Sequence, residues 1–183
     1  MKKDLSSISI KDLAVFVSTQ LRKYRINAVL TGGSCVTIYS KNEYQSLDLD
    51  FVTSAVDLHG KKIKAVMAEI GFELAAQGFF AHPKCPYIIE FLSPPLSVGR
   101  EPVKSVRKIK TKVGELRLLS PTDCVKDRLA AYFHWNDQQS LGQALMVYRQ
   151  QKIDLKELKR WAIVEGQNEK YQHFIKQTQK NVR

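Results

Sequence analysis

The sequence contains no apolar run approaching the length of a membrane span, and its start, MKKDLSSISI, has no apolar stretch of signal-peptide length. A soluble, cytoplasmic protein with no membrane partner is therefore expected. Cysteine is scarce: Cys35, Cys85 and Cys124 are odd in number, widely spaced and without a CxxC pair. That argues against a disulfide framework or a zinc site and fits a reducing compartment. A Walker-type phosphate loop, a Ser-His-Asp arrangement, internal repeats and low-complexity segments are all missing. Acid is in deficit, with 18 Asp and Glu against 29 Lys and Arg, giving a formal net charge of +11. Such a field attracts nucleic acid, nucleotides or another polyanion.

What is present suffices for a real core: 183 residues, 44% of them hydrophobic, make one medium domain or a small domain with a helical appendage. The positive charge concentrates in REPVKSVRKIKTK at 100–112, with six basic residues against one acid, and again from Arg149 to Arg183. A solvated face accounts for such regions as readily as a binding patch.

The segment 10–25 places Leu13, Phe16, Val17 and Leu21 at helical spacing. NAVLT then reads as a short buried strand ending at Gly32 and Gly33, with a second helix over about 34–41. SLDLDFVT alternates as a strand, KKIKAVMAEIG is helical up to Gly71, and YIIEFL is another strand. SVRKIKTK and GELRLL suit a hairpin or a pair of edge strands. At SPTD, a serine cap, a proline at the first helical position and an acid three residues after the serine mark a helix start. Helices are expected over 122–135, 138–150, 154–165 and 168–180. The composition shifts from Ser120, so a domain boundary is expected near 119, with a C-terminal helical region over 119–183.

In LDLDF, Leu47, Leu49 and Phe51 are expected on one side of a strand and Asp48 and Asp50 on the other. The two carboxylates then lie about 7 Å apart at their Cα atoms and can converge on a hard cation, magnesium or manganese. The bland alternative is an edge strand with a solvated acidic face. Gly32, Gly33 and Ser34, at a helix start after a strand, can present bare backbone N–H groups to a triphosphate. Glu90 is the one acid in an otherwise apolar strand, a place where an acid needs a partner. Beside LDLDF it can help ligate a metal or take a proton from an attacking hydroxyl; paired with a Lys or Arg it would be structural. His82 and Cys85 in AHPKCP lack a matching second pair of ligands and read as a loop held by two prolines. His134 reads as structural, and Trp135 and Trp161 as core by their helical spacing.

Gly32-Gly33-Ser34, thirteen residues, Asp48-Leu49-Asp50-Phe51 and then Glu90 between hydrophobics resembles the nucleotidyltransferase superfamily of DNA polymerase beta. The resemblance covers about the first 118 residues. It implies an α+β fold, a small mixed sheet flanked by helices over 1–118, and transfer of a nucleoside monophosphate from a nucleoside triphosphate to a hydroxyl, with Asp48, Asp50 and Glu90 as metal ligands, Glu90 alternatively as base, and the glycine-serine turn on phosphate. LSPTDCVKDRLAAYFHWNDQQSLGQAL is similar to the helix after the catalytic domain of bacterial abortive-infection nucleotidyltransferase toxins. That likeness assigns Arg128 to phosphate and makes Asp137 the later acid. The toxins usually carry lysine in place of Arg128 and a basic residue in place of Asn136. An ion pair with a neighbouring acid is the structural alternative for Arg128. The expected acceptor is RNA, or a protein hydroxyl in a toxin-antitoxin setting with a partner protein. The rivals are a noncatalytic module that holds nucleotide, RNA or protein, and a sugar transferase using D-x-D, which the short chain and the glycine turn disfavour.

Overall fold

The computed structural model describes residues 5–59 and 61–180. The chain opens with α1 (Ile10–Lys23), capped by Ser9, which accepts a hydrogen bond from the Asp12 amide. Leu13, Val17 and Leu21 of α1 are fully buried and Phe16 packs beside them, as the spacing predicts. β1 (Val29–Thr31) runs directly into α2 (Gly32–Tyr39), and β2 (Asp48–Val52) follows after a short loop. Next come α3 (Ala55–His59), α4 (Lys61–Glu69), β3 (Glu73–Leu74), β4 (Phe80–Ala81) and β5 (Ile88–Leu92). After β6 (Ser97–Val98) and β7 (Glu101–Pro102), β8 (Val106–Thr111) and β9 (Gly114–Leu119) form the expected hairpin. The chain ends in α5 (Pro121–Trp135), α6 (Gln138–Gln150), α7 (Leu155–Val164) and α8 (Asn168–Lys180).

Seven strands form one mixed sheet in the order β3-β4-β5-β2-β1-β9-β8, while β6 and β7 pair separately. β1 is antiparallel to β2 and parallel to β9, and β2 is parallel to β5. Only β8 of the hairpin is an edge strand; β9 lies inside the sheet. A mixed sheet flanked by helices and followed by a helical region is thus what the chain forms.

The C-terminal helices share their core with the sheet. Phe133 stacks on Trp161 at 5.4 Å, and both belong to the buried cluster that includes Leu30 and Phe51. Tyr39 Oη donates to the Leu119 carbonyl (2.6 Å), Gln151 Nε2 donates to the Tyr39 carbonyl (2.9 Å), and Arg149 pairs with Glu43. Two expectations about apolar residues are corrected. Leu47 is 71% exposed, because it precedes the first paired residue of β2 and nothing packs over it there. Trp135 is 77% exposed, because the last turn of α5 buries Tyr132 and Phe133 and leaves its final residue uncovered. Helical spacing assigns a residue to a stripe but does not say where the stripe stops being covered. Trp161 is fully buried, as expected, with its indole N–H donated to the Val98 carbonyl.

Candidate active site

Strand alternation puts Leu49 and Phe51 of β2 into the core with no exposure and turns Asp48 and Asp50 to the opposite, half-open face. The parallel register sets Asp50 directly beside Glu90 of β5, so both carboxylates rise from one face at a single strand spacing, about 4.8 Å. Thr31 of β1 flanks Asp50 on its other side. Glu90 takes part in no ion pair among the described residues, which removes the structural alternative of a neighbouring Lys or Arg. Burial first, then the charges of Asp48 and Glu90, push the Asp50 carboxyl up from 3.8 to about 6; Arg128 opposes the rise and Asp127 adds to it. Negative charge is therefore crowded where β2 and β5 meet.

The glycine turn lies against this cluster. Gly32 has φ +65°, a conformation L side chains avoid, and a Cβ there would overlap Asp50 Oδ2. At Gly33 a Cβ would sit 2.7 Å from Ser46 Oγ. Both positions demand bare backbone. Ser or Asp side chains cap α1, α5, α6 and α7, but no side chain caps α2, so its first N–H groups have no side-chain cap at the end that lies against Asp50. Ser34 is fully buried and its hydroxyl donates to the Thr31 carbonyl (3.0 Å), which leaves its backbone N–H as the group turned to the helix start.

α5 supplies a wall. Arg128 is half-buried: Nη2 and Nε bind Asp127 Oδ2 at 2.6 and 3.1 Å, and Nη1 donates to Gln143 Oε1 at 3.3 Å. The ion pair expected as its structural alternative exists, with the residue just before it. The positive charge of Arg128 nonetheless opposes part of the rise in the Asp50 pKa. Asp137 is the cap of α6: Oδ1 accepts from the amides of Gln139 (2.9 Å) and Ser140 (3.2 Å), and Oδ2 from the Ser140 hydroxyl (2.7 Å). These bonds, the Ser140 hydroxyl foremost, hold its pKa below the ordinary value, with Arg128 a distant contributor. The structure thus gathers Gly32, Gly33, Asp48, Asp50, Glu90 and Arg128, buries the Ser34 hydroxyl, and gives Asp137 a capping role. Asp127, Gln143 and Ser46 also join the site, and no local pattern marks them. Ser46 donates to Asp48 Oδ1 and closes the far side of the turn at Gly33.

Among the described residues, no three His, Cys, Asp or Glu side chains gather tightly enough to hold a metal ion. The donor chemistry does fit a hard divalent cation: only oxygen ligands face the site, and their mutual repulsion is what such an ion relieves. His82 and Cys85 form a tight loop, with the Cys85 amide donating to the His82 carbonyl (3.0 Å) and the Lys84 amide to His82 Nδ1 (3.1 Å). No helix among the described residues is long and apolar enough to cross a membrane.

Of the solved structures, an antigenic nucleotidyltransferase-like protein from Paracoccidioides brasiliensis is similar to this chain with a TM-score of 0.61, over 79% of this chain and 78% of the other. The two are 12% identical, so the likeness is one of fold. No protein-family model and no curated protein sequence matches the chain.

Proposed function

We propose that this chain is a metal-dependent nucleotidyltransferase that moves a nucleoside monophosphate from a nucleoside triphosphate to a hydroxyl acceptor. One observation carries the reading: Asp50 lies between the bare backbone of Gly32 and the carboxylate of Glu90, so an anion cradle and a cation-binding pair of acids meet at a single point. The N–H groups at the start of α2 would bind the terminal phosphates, and the Arg128 fork would steady the triphosphate from the α5 side. Asp48 and Asp50, with Glu90 beside them, would hold magnesium or manganese. When bound, that ion would offset charge on the transferring phosphate. Glu90 is also placed to accept the proton of the attacking hydroxyl.

The net charge of +11 favours RNA as the acceptor. A protein hydroxyl is the alternative acceptor, in a toxin-antitoxin setting with a partner protein. A second reading is a binding module without turnover, favoured by the spacing of the acids, which among the described residues form no group of three His, Cys, Asp or Glu side chains that could hold a metal ion.

The test is to incubate the purified protein with each labelled nucleoside triphosphate, magnesium, and total RNA or cell lysate, with Asp48→Asn and a chelator control alongside. Label transfer by the parent alone supports the enzyme. Triphosphate binding without transfer supports the module.

A further inference from the structure

The acids and the basic hairpin share one face of the sheet. Phe51 of β2 pairs with Leu30 of β1, Leu30 pairs with Leu118 of β9, and all three are fully buried. Arg117 and Glu115 alternate with Leu116 and Leu118 along β9, so they turn to the other face, that of Asp50 and Glu90. Across the hairpin Lys108 is set directly opposite Arg117, and Lys110 opposite Glu115. The four side chains rise together on β9 and β8, two and three strands from β2.

Like charges directly opposite each other on neighbouring strands destabilise a sheet. No carboxylate offsets the Arg117–Lys108 pair: Glu115, the acid next to it, is held by Arg22 of α1 at 2.6 Å. Arg117, Lys108 and Lys110 join no ion pair among the described residues. Arg117 Nη1 donates to Asn27 Oδ1 at 3.1 Å, but its Nε is buried with no partner among the described residues. An unused buried donor and an uncompensated pair of cations meet at one point, and an anion there satisfies both.

Lys110 and Glu115 also line a groove of about 510 Å³ between α1 and the turn of the hairpin, with Arg22 and Lys23 on its α1 side. At Gly114 a Cβ would overlap Thr19 Oγ1, so the hairpin lies directly against α1 and the groove wall is fixed. No aromatic or aliphatic residue lines the groove, whereas a protein partner needs an apolar core to its interface. Same-face cations along β8 repeat every ~7 Å, which suits a chain of regularly spaced anions. We propose that this face binds the phosphodiester backbone of a single-stranded nucleic acid, one phosphate lying between Arg117 and Lys108 and the strand continuing past Lys110 into the groove. The Arg117 fork takes the phosphate, and Lys108 adds a point charge. Contacts to backbone alone carry no base preference. The inference stands on the sheet register and the ion pairs, independently of the transfer reaction proposed for the acids.

The test titrates labelled single-stranded oligouridine and oligoadenine RNA, the matching DNA, and poly-glutamate into the protein without triphosphate or magnesium, over a range of salt. The variants are Lys108→Gln, Arg117→Lys and Arg117→Gln, with Lys156→Gln, an exposed lysine of α7, as a control of equal charge. Lys108→Gln and Arg117→Gln each weaken the nucleic acids several-fold and flatten log affinity against log salt by about 0.7, while Lys156→Gln changes neither. Arg117→Lys keeps the slope and loses part of the affinity. RNA and DNA, and the two bases, bind alike. In low salt without ligand, Lys108→Gln raises the Tm because the like-charge pair is gone, a result that also shows the variant is folded. Equal weakening by Lys108→Gln and Lys156→Gln overturns the site in favour of the overall field of the protein. Binding of poly-glutamate and of neither nucleic acid overturns it in favour of an acidic protein partner.

Discussion

Asp50 is held at an electrostatic cost, half-buried beside two other carboxylates. Its carboxyl, raised from 3.8 to about 6 by burial and by Asp48 and Glu90, binds a proton more tightly folded than unfolded. The penalty on its ionised form is absent below about pH 3.8, grows as pH rises toward 6, and is constant above that. Without a divalent cation, Asp50→Asn should therefore stabilise the protein at pH 7.5, by about 1–3 kcal/mol or several degrees in Tm, and make little difference near pH 4. The same variant should abolish transfer. Thermal melts in chelator at both pH values test the sign, and a lower Tm for Asp50→Asn at pH 7.5 would contradict it. Magnesium should raise the Tm of the parent and leave Asp50→Asn nearly unmoved. Gly32→Ala should do the reverse on stability. It forces a side chain into φ +65° and onto Asp50, so a loss of about 1–3 kcal/mol is expected together with loss of triphosphate binding, read by denaturant melts and calorimetry.

At the scale of elements, the site is where three pieces meet: the β2/β5 pair, the β1–α2 junction and the α5 wall. The first two were legible in the sequence because each is local. Alternation alone assigns Asp48 and Asp50 to one face, and a glycine pair after a short apolar run marks a strand entering a helix. The register of Asp50 with Glu90 and the approach of α5 to α2 join residues far apart in sequence, and no local pattern encodes them. Strands β3, β4, β6 and β7 went unread because two residues cannot show a period. Asp137 stands at the start of α6, where an acid of a motif and an acid that caps a helix look alike in one dimension. Arg128 separates an ion-pair role from a phosphate role. Arg128→Lys keeps the charge and loses the fork; Arg128→Ala also strands Asp127. On the phosphate reading, triphosphate affinity falls several-fold for Lys and at least tenfold more for Ala. On a purely structural reading, both variants change stability and leave affinity where it was.

At the scale of the whole molecule, charge is unevenly committed. Of the cations in the C-terminal region, Arg149 is paired with Glu43, Arg160 with Glu101 and Glu157, and Lys170 with the end of α5. Lys108, Lys110 and Lys112 of the β8 hairpin are exposed and join no ion pair among the described residues. β8 is also the free edge of the sheet, three strands from β2 and thus about 14 Å from the acids. An RNA whose terminal hydroxyl reaches Glu90 can lay its backbone along that edge. Replacing the three lysines by glutamine should raise KM for an RNA acceptor and lower the slope of log affinity against log salt by about 2, at roughly 0.7 per single-strand phosphate contact. Affinity for nucleoside triphosphate should not change, since β8 lies outside the cleft. An unchanged slope would move the acceptor track to another face. An unchanged slope with transfer to protein in lysate would identify a protein hydroxyl as the acceptor and leave the β8 lysines as a solvated edge that discourages strand pairing between copies.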